Sequence, residues 1–299
     1  MENVQRAIAQ LDAASAAGHA EASERLALIE ALGPIRGPDW VRALDFLALA
    51  ATQGSRRAQD QLLLLADSGS RPVVPTGVYE DFWALVRSRI AIAERMHSPD
   101  KQSLSESPRI RVLRNFATAA ECEWLISLAR PQLAPAPVFD EATGEGSIRS
   151  ARDNSFFLLR FDEMNVVTEV IRHRIAAATK LPVPLFEHAQ ILHYAVGQRF
   201  EAHHDFLDPA NPAYQDSIAT FGQRIATFLI YLNDGYEGGE TSFPNIGLSF
   251  RAGLGDALLF ANVHSGGTPD LDTLHAGEPP TSGEKWVFSQ WIRDRVSGG

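Results

Sequence analysis

The sequence predicts an α+β protein in which an all-α region of helical repeats precedes a domain built mainly of β-strands. Its 299 residues are enough for two domains, since domains average roughly 150 residues. The first hundred residues are rich in Ala and Leu, and their apolar positions recur at helical spacing. Further along, short runs of β-branched and aromatic residues alternate with Gly, Pro, Asn and Asp, which is typical of strands and turns.

Residues 1–96 form the predicted helical domain. Similar residues recur there at an offset of 36 positions, as in Gly18 with Gly54 and Leu26 with Leu62. A period of this length, with Gly in the turns, is typical of stacked helix-turn-helix repeats. The region resembles the Sel1-like branch of the tetratricopeptide repeats, and a helix over 79–95 is expected to cap it. Two roles stay open, a brace for the second domain or a docking surface for a substrate or partner.

Residues 97–108 are polar and rich in Pro and Ser, which predicts a linker before a second domain at 109–299. Helices are predicted at 119–129 and 166–179, and strands occupy most of the remaining regular structure. Examples of the predicted strands are 110–113, 155–161, 189–194, 225–232, 257–261 and 286–292. This arrangement indicates a β-sandwich or barrel that carries a few helices.

Charge and cysteine content exclude several classes of function. A net charge of −10 argues against binding to a phosphate backbone, so no nucleic-acid partner is expected. The single cysteine, Cys122, cannot form an intrachain disulfide or a cysteine-based zinc or iron–sulfur site. The sequence begins without an apolar signal segment and has no run of about 18 apolar residues, so we expect a cytoplasmic protein with no membrane partner.

A pair of residue types that bind metals follows an alternating stretch in the second domain. On an extended backbone, His203 and Asp205 point to one face while His204 points to the other. His275, far downstream beside a Gly/Pro-rich turn, is a candidate third ligand. Two histidines and one carboxylate are the ligand set of non-heme Fe(II) oxygenases, and zinc hydrolysis is the competing use of such a set. The helical His-Glu-x-x-His motif of the zinc hydrolases is missing.

Several blocks of sequence then occur in one order, at 190–205, 224–233, 238–244, 255–260 and 275–286. With these blocks the chain resembles the prolyl 4-hydroxylase family of 2-oxoglutarate- and Fe(II)-dependent dioxygenases over about residues 109–295. The resemblance implies a double-stranded β-helix, or jelly-roll, with the iron at its mouth. It also implies Fe(II), 2-oxoglutarate and O2 as cofactor and cosubstrates, with ascorbate as a candidate reductant.

Carried over position by position, the resemblance assigns roles to individual residues. His203, Asp205 and His275 become the Fe(II) ligands. Lys285 pairs with the distal carboxylate of 2-oxoglutarate, Tyr194 hydrogen-bonds the same cosubstrate, and Thr241 assists. A cation at Lys285 is physically reasonable, because a dianion that enters a partly dry pocket needs a charge partner. The implied reaction hydroxylates an unactivated C–H bond and releases succinate and CO2.

The expected substrate is a prolyl residue in a peptide or protein. Arg224 matches an arginine of the peptide groove and Trp291 an aromatic wall, but Phe200 stands where the family commonly has tyrosine. The alternative is a small molecule such as a free amino acid, and a non-catalytic scaffold is a third hypothesis. The segment 206–222 is predicted to be a long loop beside the metal. Arg149 and Arg152 either reach an acidic group or face solvent, and the oligomeric state stays open.

Overall fold

The computed structural model describes residues 2–66, 79–135, 138–139, 146–147 and 152–296. The chain divides into two compact units, one of Met1–His97 with Glu163–Arg174 and the other of Ser98–Asp162 with Ile175–Gly299. The α-helices are α1 Glu2–Ala16, α2 Ala20–Leu32, α3 Trp40–Thr52, α4 Arg56–Ala66, α5 Tyr79–Ser88, α6 Ile92–Arg95, α7 Ala119–Ala129, α8 Val166–Thr179 and α9 Pro212–Phe221. Within these ranges, no helix is both long and apolar enough to cross a membrane.

The first unit is helical, as predicted. Its α1–α2 and α3–α4 turns contain Gly18 (φ 93°) and Gly54 (φ 100°), and a side chain is disfavoured at such positive φ. The offset of 36 residues separates the ends of α1 and α3 and the starts of α2 and α4. Leu26 and Leu62, which stand at the same offset, are 1% and 0% exposed. The apolar spacing therefore marks the buried faces of these helices.

The second unit contains sixteen short strands among the described residues. They are β1 Lys101–Ser105, β2 Ile110–Leu113, β3 Ala134–Pro135, β4 Val138–Phe139, β5 Gly146–Ser147, β6 Ser155–Leu158, β7 Gln190–Tyr194, β8 Phe200–His203, β9 Arg224–Tyr231, β10 Glu237–Gly238, β11 Thr241–Phe243, β12 Leu248–Phe250, β13 Ala257–Ala261, β14 His275–Gly277, β15 Pro280–Ser282 and β16 Lys285–Arg293.

Two antiparallel sheets dominate this unit. The larger has eight strands in the order β1-β2-β13-β9-β16-β7-β6-β3, and the smaller has four in the order β12-β11-β14-β8. One buried apolar cluster draws on both sheets, with Leu229, Tyr231 and Val287 from the larger and Phe243 and Phe250 from the smaller. Each such side chain contributes about 1.5–3 kcal/mol when it is buried. The sheets thus share one core.

The predicted linker and the predicted loop both contain regular structure. Residues 101–105 lie within the predicted linker but form β1, an exposed edge strand whose backbone hydrogen bonds come from β2. The predicted loop 206–222 contains helix α9. Asn211 caps this helix by accepting a hydrogen bond from the Ala213 amide, and Pro212 takes the first helical position. An Asn-Pro pair is a helix start signal, because proline there loses no intrahelical hydrogen bond.

Gly255 gives a test of how β9 and β13 are joined. Its φ is 76°, its amide donates to the Tyr231 carbonyl, and an added Cβ would clash with the Ala117 carbonyl oxygen. An alanine at this position would adopt a strained left-handed backbone conformation and overpack against Ala117. We therefore predict that Gly255→Ala lowers the free energy of unfolding by about 2–4 kcal/mol. Thermal unfolding followed by circular dichroism checks this. Gly266→Ala is the matched control, because its Cβ meets open space at an ordinary φ. Equal melting temperatures for the two variants would contradict the packing described.

Candidate active site

The three predicted metal ligands come together because two strands pair in register. His203 is the last residue of β8 and His275 the first of β14, and the two face each other across the pair. Asp205 lies two residues beyond His203, with Oδ1 3.6 Å from His203 Nε2 and Oδ2 3.5 Å from His275 Nε2. The donor atoms all lie within 4.8 Å of one another. A single ion can therefore reach all three side chains.

Backbone carbonyl groups fix the orientation of both imidazole rings. Nδ1 of His203 lies 2.7 Å from the carbonyl oxygen of Glu201. Nδ1 of His275 lies 3.0 Å from the carbonyl oxygen of Thr273. When Nδ1–H donates to these carbonyls, each Nε2 keeps its lone pair and faces Asp205. Burial lowers the pKa of His275 to about 4, so this ring is neutral near pH 7, as a metal ligand must be.

Asp205 is buried and anionic. Burial alone would raise its pKa, but the two neighbouring imidazoles and a 2.6 Å hydrogen bond from Thr227 Oγ1 hold the pKa well below its usual range. Asn262 Nδ2 in turn donates to Thr227 Oγ1 over 3.0 Å. Sequence reasoning missed both supporting residues. The available signal was Thr227 itself, a hydroxyl within the apolar strand β9.

Aromatic rings surround the two histidines. Phe200 stacks on His203 with ring centroids 3.6 Å apart and an interplanar angle of 16°. Phe260 packs edge-on against His275 at 4.7 Å, and Phe243 lies at 5.8 Å. These contacts restrict ring rotation and exclude water from the buried side of the metal-binding group.

Lys285 is the first residue of β16 and pairs with Tyr194 of β7. It is 1% exposed, and its Nζ lies 5.1 Å from the Tyr194 ring centroid and 5.7 Å from that of Tyr231. No carboxylate of the described chain lies within 4.0 Å of this ammonium group. Burial lowers the pKa of Lys285 to about 8, against the raising influence of more distant glutamates. The structure therefore holds a buried cation without an adjacent counter-ion, which is a suitable partner for a carboxylate ligand.

The residues predicted to bind the cosubstrate line the same cavity as the metal triad. The walls of this cavity include Lys285, Tyr194 and Thr241. Burial raises the pKa of Tyr194 to about 12, so its phenol keeps its proton and can donate a hydrogen bond. Thr241 Oγ1 lies 2.7 Å from the Tyr231 hydroxyl, which fixes the rotamer of the threonine.

The residues predicted to contact substrate occupy two kinds of position. Phe200 and Trp291 line the cavity itself. Arg224 is engaged outside it: its guanidinium group forms a two-point salt bridge with Glu187, at 2.7 and 3.0 Å. The same group lies 3.6 Å above the ring of Trp291. Arg224 therefore contacts an indole that lines the cavity.

Arg152 belongs to the cavity wall as well. The sequence leaves two hypotheses open for Arg152, contact with an acidic group or exposure to solvent. Exposure to solvent is excluded, since the residue is 8% exposed. Arg149, which was considered with it, lies outside the described residues.

Comparisons with known proteins agree with this geometry. Residues 189–293 match the family model described as the 2OG-Fe(II) oxygenase superfamily. Prolyl 4-hydroxylase 5 of Arabidopsis thaliana is 41% identical over 209 residues, which cover 63% of this chain and 69% of that protein. Probable prolyl 4-hydroxylase 3 of the same plant is 37% identical, with coverages of 63% and 70%.

A solved structure is also similar, that of a viral collagen prolyl hydroxylase from Paramecium bursaria Chlorella virus-1 in complex with 2OG. It is 26% identical with a TM-score of 0.47, over 61% of this chain and 94% of that one. The sequence identity to the plant relatives, over more than two thirds of their length, shows the family. This chain belongs to the prolyl 4-hydroxylase family of 2OG-Fe(II) oxygenases and is a dioxygenase that uses Fe(II), 2-oxoglutarate and O2.

Proposed function

We propose that this enzyme hydroxylates a prolyl residue in a peptide or protein. The observation that carries the proposal is one cavity that holds both the His203, Asp205 and His275 triad and the buried ammonium group of Lys285, which pairs with no carboxylate of the described residues. The relatives that are named prolyl 4-hydroxylases support the choice of a prolyl substrate. A free amino acid is the second candidate, favoured by Phe200, which lacks the hydroxyl group commonly found there.

His203, Asp205 and His275 would hold the Fe(II). The donor set fits this ion, since two imidazole nitrogens and one carboxylate could coordinate it from one side and leave further positions open. When bound, Fe(II) and 2-oxoglutarate supply the O2-dependent hydroxylation of an unactivated C–H bond, with conversion of 2-oxoglutarate to succinate and CO2. The chain contributes the position of the ligands. His275 and His203 keep the carboxylate of Asp205 ionised, and Thr227 orients it through a hydrogen bond.

Lys285, Tyr194 and Thr241 would bind 2-oxoglutarate. The ammonium group of Lys285 pairs with the distal carboxylate, and the protonated phenol of Tyr194 donates a hydrogen bond to the same group. Because both side chains are almost fully buried, this pair forms in a low dielectric where a lost partner is costly. Thr241, held by Tyr231, adds a hydroxyl group at the cavity wall.

Phe200 and Trp291 would flank the substrate at the cavity walls. Contacts with neighbouring side chains hold both rings in place. Phe200 stacks on His203, and Trp291 packs against Arg224, which is itself paired with Glu187. Rigid aromatic walls suit an apolar pyrrolidine ring, which binds by contact area more than by hydrogen bonds.

We also propose an architecture for each of the two units. The two sheets that share a core are interpreted as the double-stranded β-helix implied by the resemblance. The helices of the first unit are interpreted as Sel1-like repeats, supported by the 36-residue offset between equivalent helix ends. Such repeats commonly present concave surfaces to extended peptides, which agrees with a macromolecular substrate.

The first test is succinate release from Fe(II), 2-oxoglutarate and O2, with and without a panel of proline-rich peptides and free amino acids. Stimulation by a peptide supports the proposal, whereas stimulation only by free amino acids contradicts it.

His203→Ala and Asp205→Ala should each abolish turnover while circular dichroism stays unchanged, because each removes a metal ligand and neither residue belongs to the buried apolar cluster that the two sheets share. His264→Ala, at an exposed histidine outside this cavity, is the control. Full activity in either ligand variant would remove the ligand assignment.

Thr227→Val should weaken Fe(II) binding about 10- to 100-fold, because the isosteric change removes the hydrogen bond that orients Asp205. Anaerobic Fe(II) titration measures the effect. Thr281→Val makes the same substitution at an exposed position of β15 and should bind Fe(II) like the parent. An unchanged affinity in Thr227→Val would show that the carboxylate is positioned without its help.

Binding of 2-oxoglutarate should weaken as pH rises above about 8. Lys285 is charged below its pKa of about 8 and neutral above it, so affinity for a carboxylate is full at pH 7 and falls up to about tenfold per pH unit beyond the pKa. Lys285→Arg keeps its charge over this range and should show a flat profile. Anaerobic binding at saturating metal measures both curves, and the same slope in the two proteins would exclude Lys285 as the titrating partner.

A further inference from the structure

Arg152 is a second buried cation in the active-site cavity. It forms an isolated antiparallel bridge with Phe200, which brings it to the strand that carries His203. The residue is 8% exposed and lines the same cavity as the metal triad. Arginine is rarely buried without a partner, because removing its charge from water is costly. Its position therefore calls for a physical explanation.

The contacts of Arg152 leave one edge of its guanidinium group available. Nε donates to Asn154 Oδ1 over 2.8 Å, and Cζ lies 4.4 Å above the ring of Phe200. The two terminal nitrogens form no hydrogen bond or ion pair with any residue in the described ranges. Burial lowers the pKa of Arg152, and the nearby Tyr194 and Asp205 only partly offset it. The planar pair of terminal N–H groups is thus fixed by Asn154 and Phe200 but not paired.

The charges of the cavity do not balance when only the cosubstrate is present. Among the described residues, the buried cations that line the cavity are Arg152 and Lys285, and the buried carboxylate is Asp205, which is committed to the metal. One distal carboxylate of 2-oxoglutarate neutralises one cation. A second carboxylate is needed for the other, and a guanidinium edge matches the two oxygens of a carboxylate with parallel hydrogen bonds.

Phe200 joins Arg152 to the metal-binding group. Its ring stacks on the imidazole of His203 and also contacts the guanidinium group of Arg152, whose Cζ lies 4.4 Å from the ring centroid. An apolar ring accepts no conventional hydrogen bond, so this contact leaves the terminal N–H groups of Arg152 available to a ligand. Because Arg152 lines the same cavity as the metal triad, a ligand bound at this edge lies near the metal-binding group.

We propose that Arg152 binds a carboxylate of the prolyl substrate, so that the preferred substrate is an acidic one. The inference rests on the proposed function. The carboxylate has two sources with the same chemistry. One is an acidic side chain next to the proline, and the other is the terminal carboxylate of a peptide that ends in proline or of free proline. A neutral proline-rich segment would leave the guanidinium edge buried and unpaired.

The experiment compares matched acid and amide ligands by calorimetry on the full chain with Fe(II) and 2-oxoglutarate, without O2 so that no turnover occurs. One pair is a short peptide with Glu-Pro against Gln-Pro, with both ends blocked. A second pair ends in proline with a free carboxylate or an amide, and a third is free proline against prolinamide. We expect at least one acid to bind about 10- to 100-fold more tightly than its amide. The pair that shows this preference identifies the source of the carboxylate.

Variants link the preference to Arg152. Arg152→Gln should reduce the acid-to-amide ratio to about twofold or less, and Arg152→Lys, which keeps the charge but not the fork, should retain part of it. Arg199→Gln removes a charge from an exposed residue that is bonded through its backbone to Asp153, and it should leave the ratio unchanged. If the Gln variant does not fold by circular dichroism, the reduced ratio in the Lys variant remains the test.

Four results would overturn the proposal. Equal binding of acid and amide in every pair overturns the subsite and leaves prolyl hydroxylation intact. Loss of 2-oxoglutarate affinity in Arg152→Gln, with an unchanged acid-to-amide ratio, assigns the residue to the cosubstrate. Absence of binding by every proline ligand overturns the prolyl function and the subsite together. A parallel Fe(II) titration of Arg152→Gln detects a purely positioning role. In that case the variant binds the metal more weakly while its acid-to-amide ratio stays unchanged.

Discussion

The pairing register of β14 with β8 is the constraint on which the rest of the site depends. His275 faces His203 across this pair, and a slip of one residue would turn one imidazole to the opposite face of the sheet. The register shifts between this pair and the pair of Gly277 with Phe200, so β8 contains one more residue than β14 over that interval. Residues three apart on a regular strand face opposite sides, and this bulge is what lets Phe200 stack on His203.

The metal-binding group is stable only because neighbouring side chains compensate its charge and fix its orientation. A buried carboxylate costs free energy unless it is paired and hydrogen-bonded, and Asp205 has both imidazoles and the Thr227 hydroxyl group for this purpose. Asn262 holds that hydroxyl group in turn. Side chains of the larger sheet and its adjoining loop thus position a ligand that follows a strand of the smaller sheet. The shared core of the two sheets is therefore a condition for metal binding.

Local patterns in the sequence located the helices 119–129 and 166–179 and six of the strands, whereas His203, Asp205 and His275 were assigned as ligands through the family resemblance. The helix 119–129 has the predicted bounds, because Thr118 and Glu121 form a capping box and the apolar stripe packs inward. Helix α9 was missed, since its apolar pattern is weak and the Asn-Pro start signal was interpreted as part of a loop. The contacts of Thr227 and Arg152 could not be predicted either, because each joins segments far apart in the chain or reaches a cavity that only the folded backbone creates.

The electrostatics of the cavity oppose those of the whole chain. The protein has a net charge of −10, so the overall field is unfavourable for an anionic ligand at long range. Lys285 and Arg152 lie below the surface, where solvent screens them little and their attraction acts over a few ångströms. Selection among anions then depends on fit inside the cavity more than on approach. A small dicarboxylate and a substrate with a single carboxylate satisfy this arrangement, whereas a densely charged polyanion is repelled before it reaches the site.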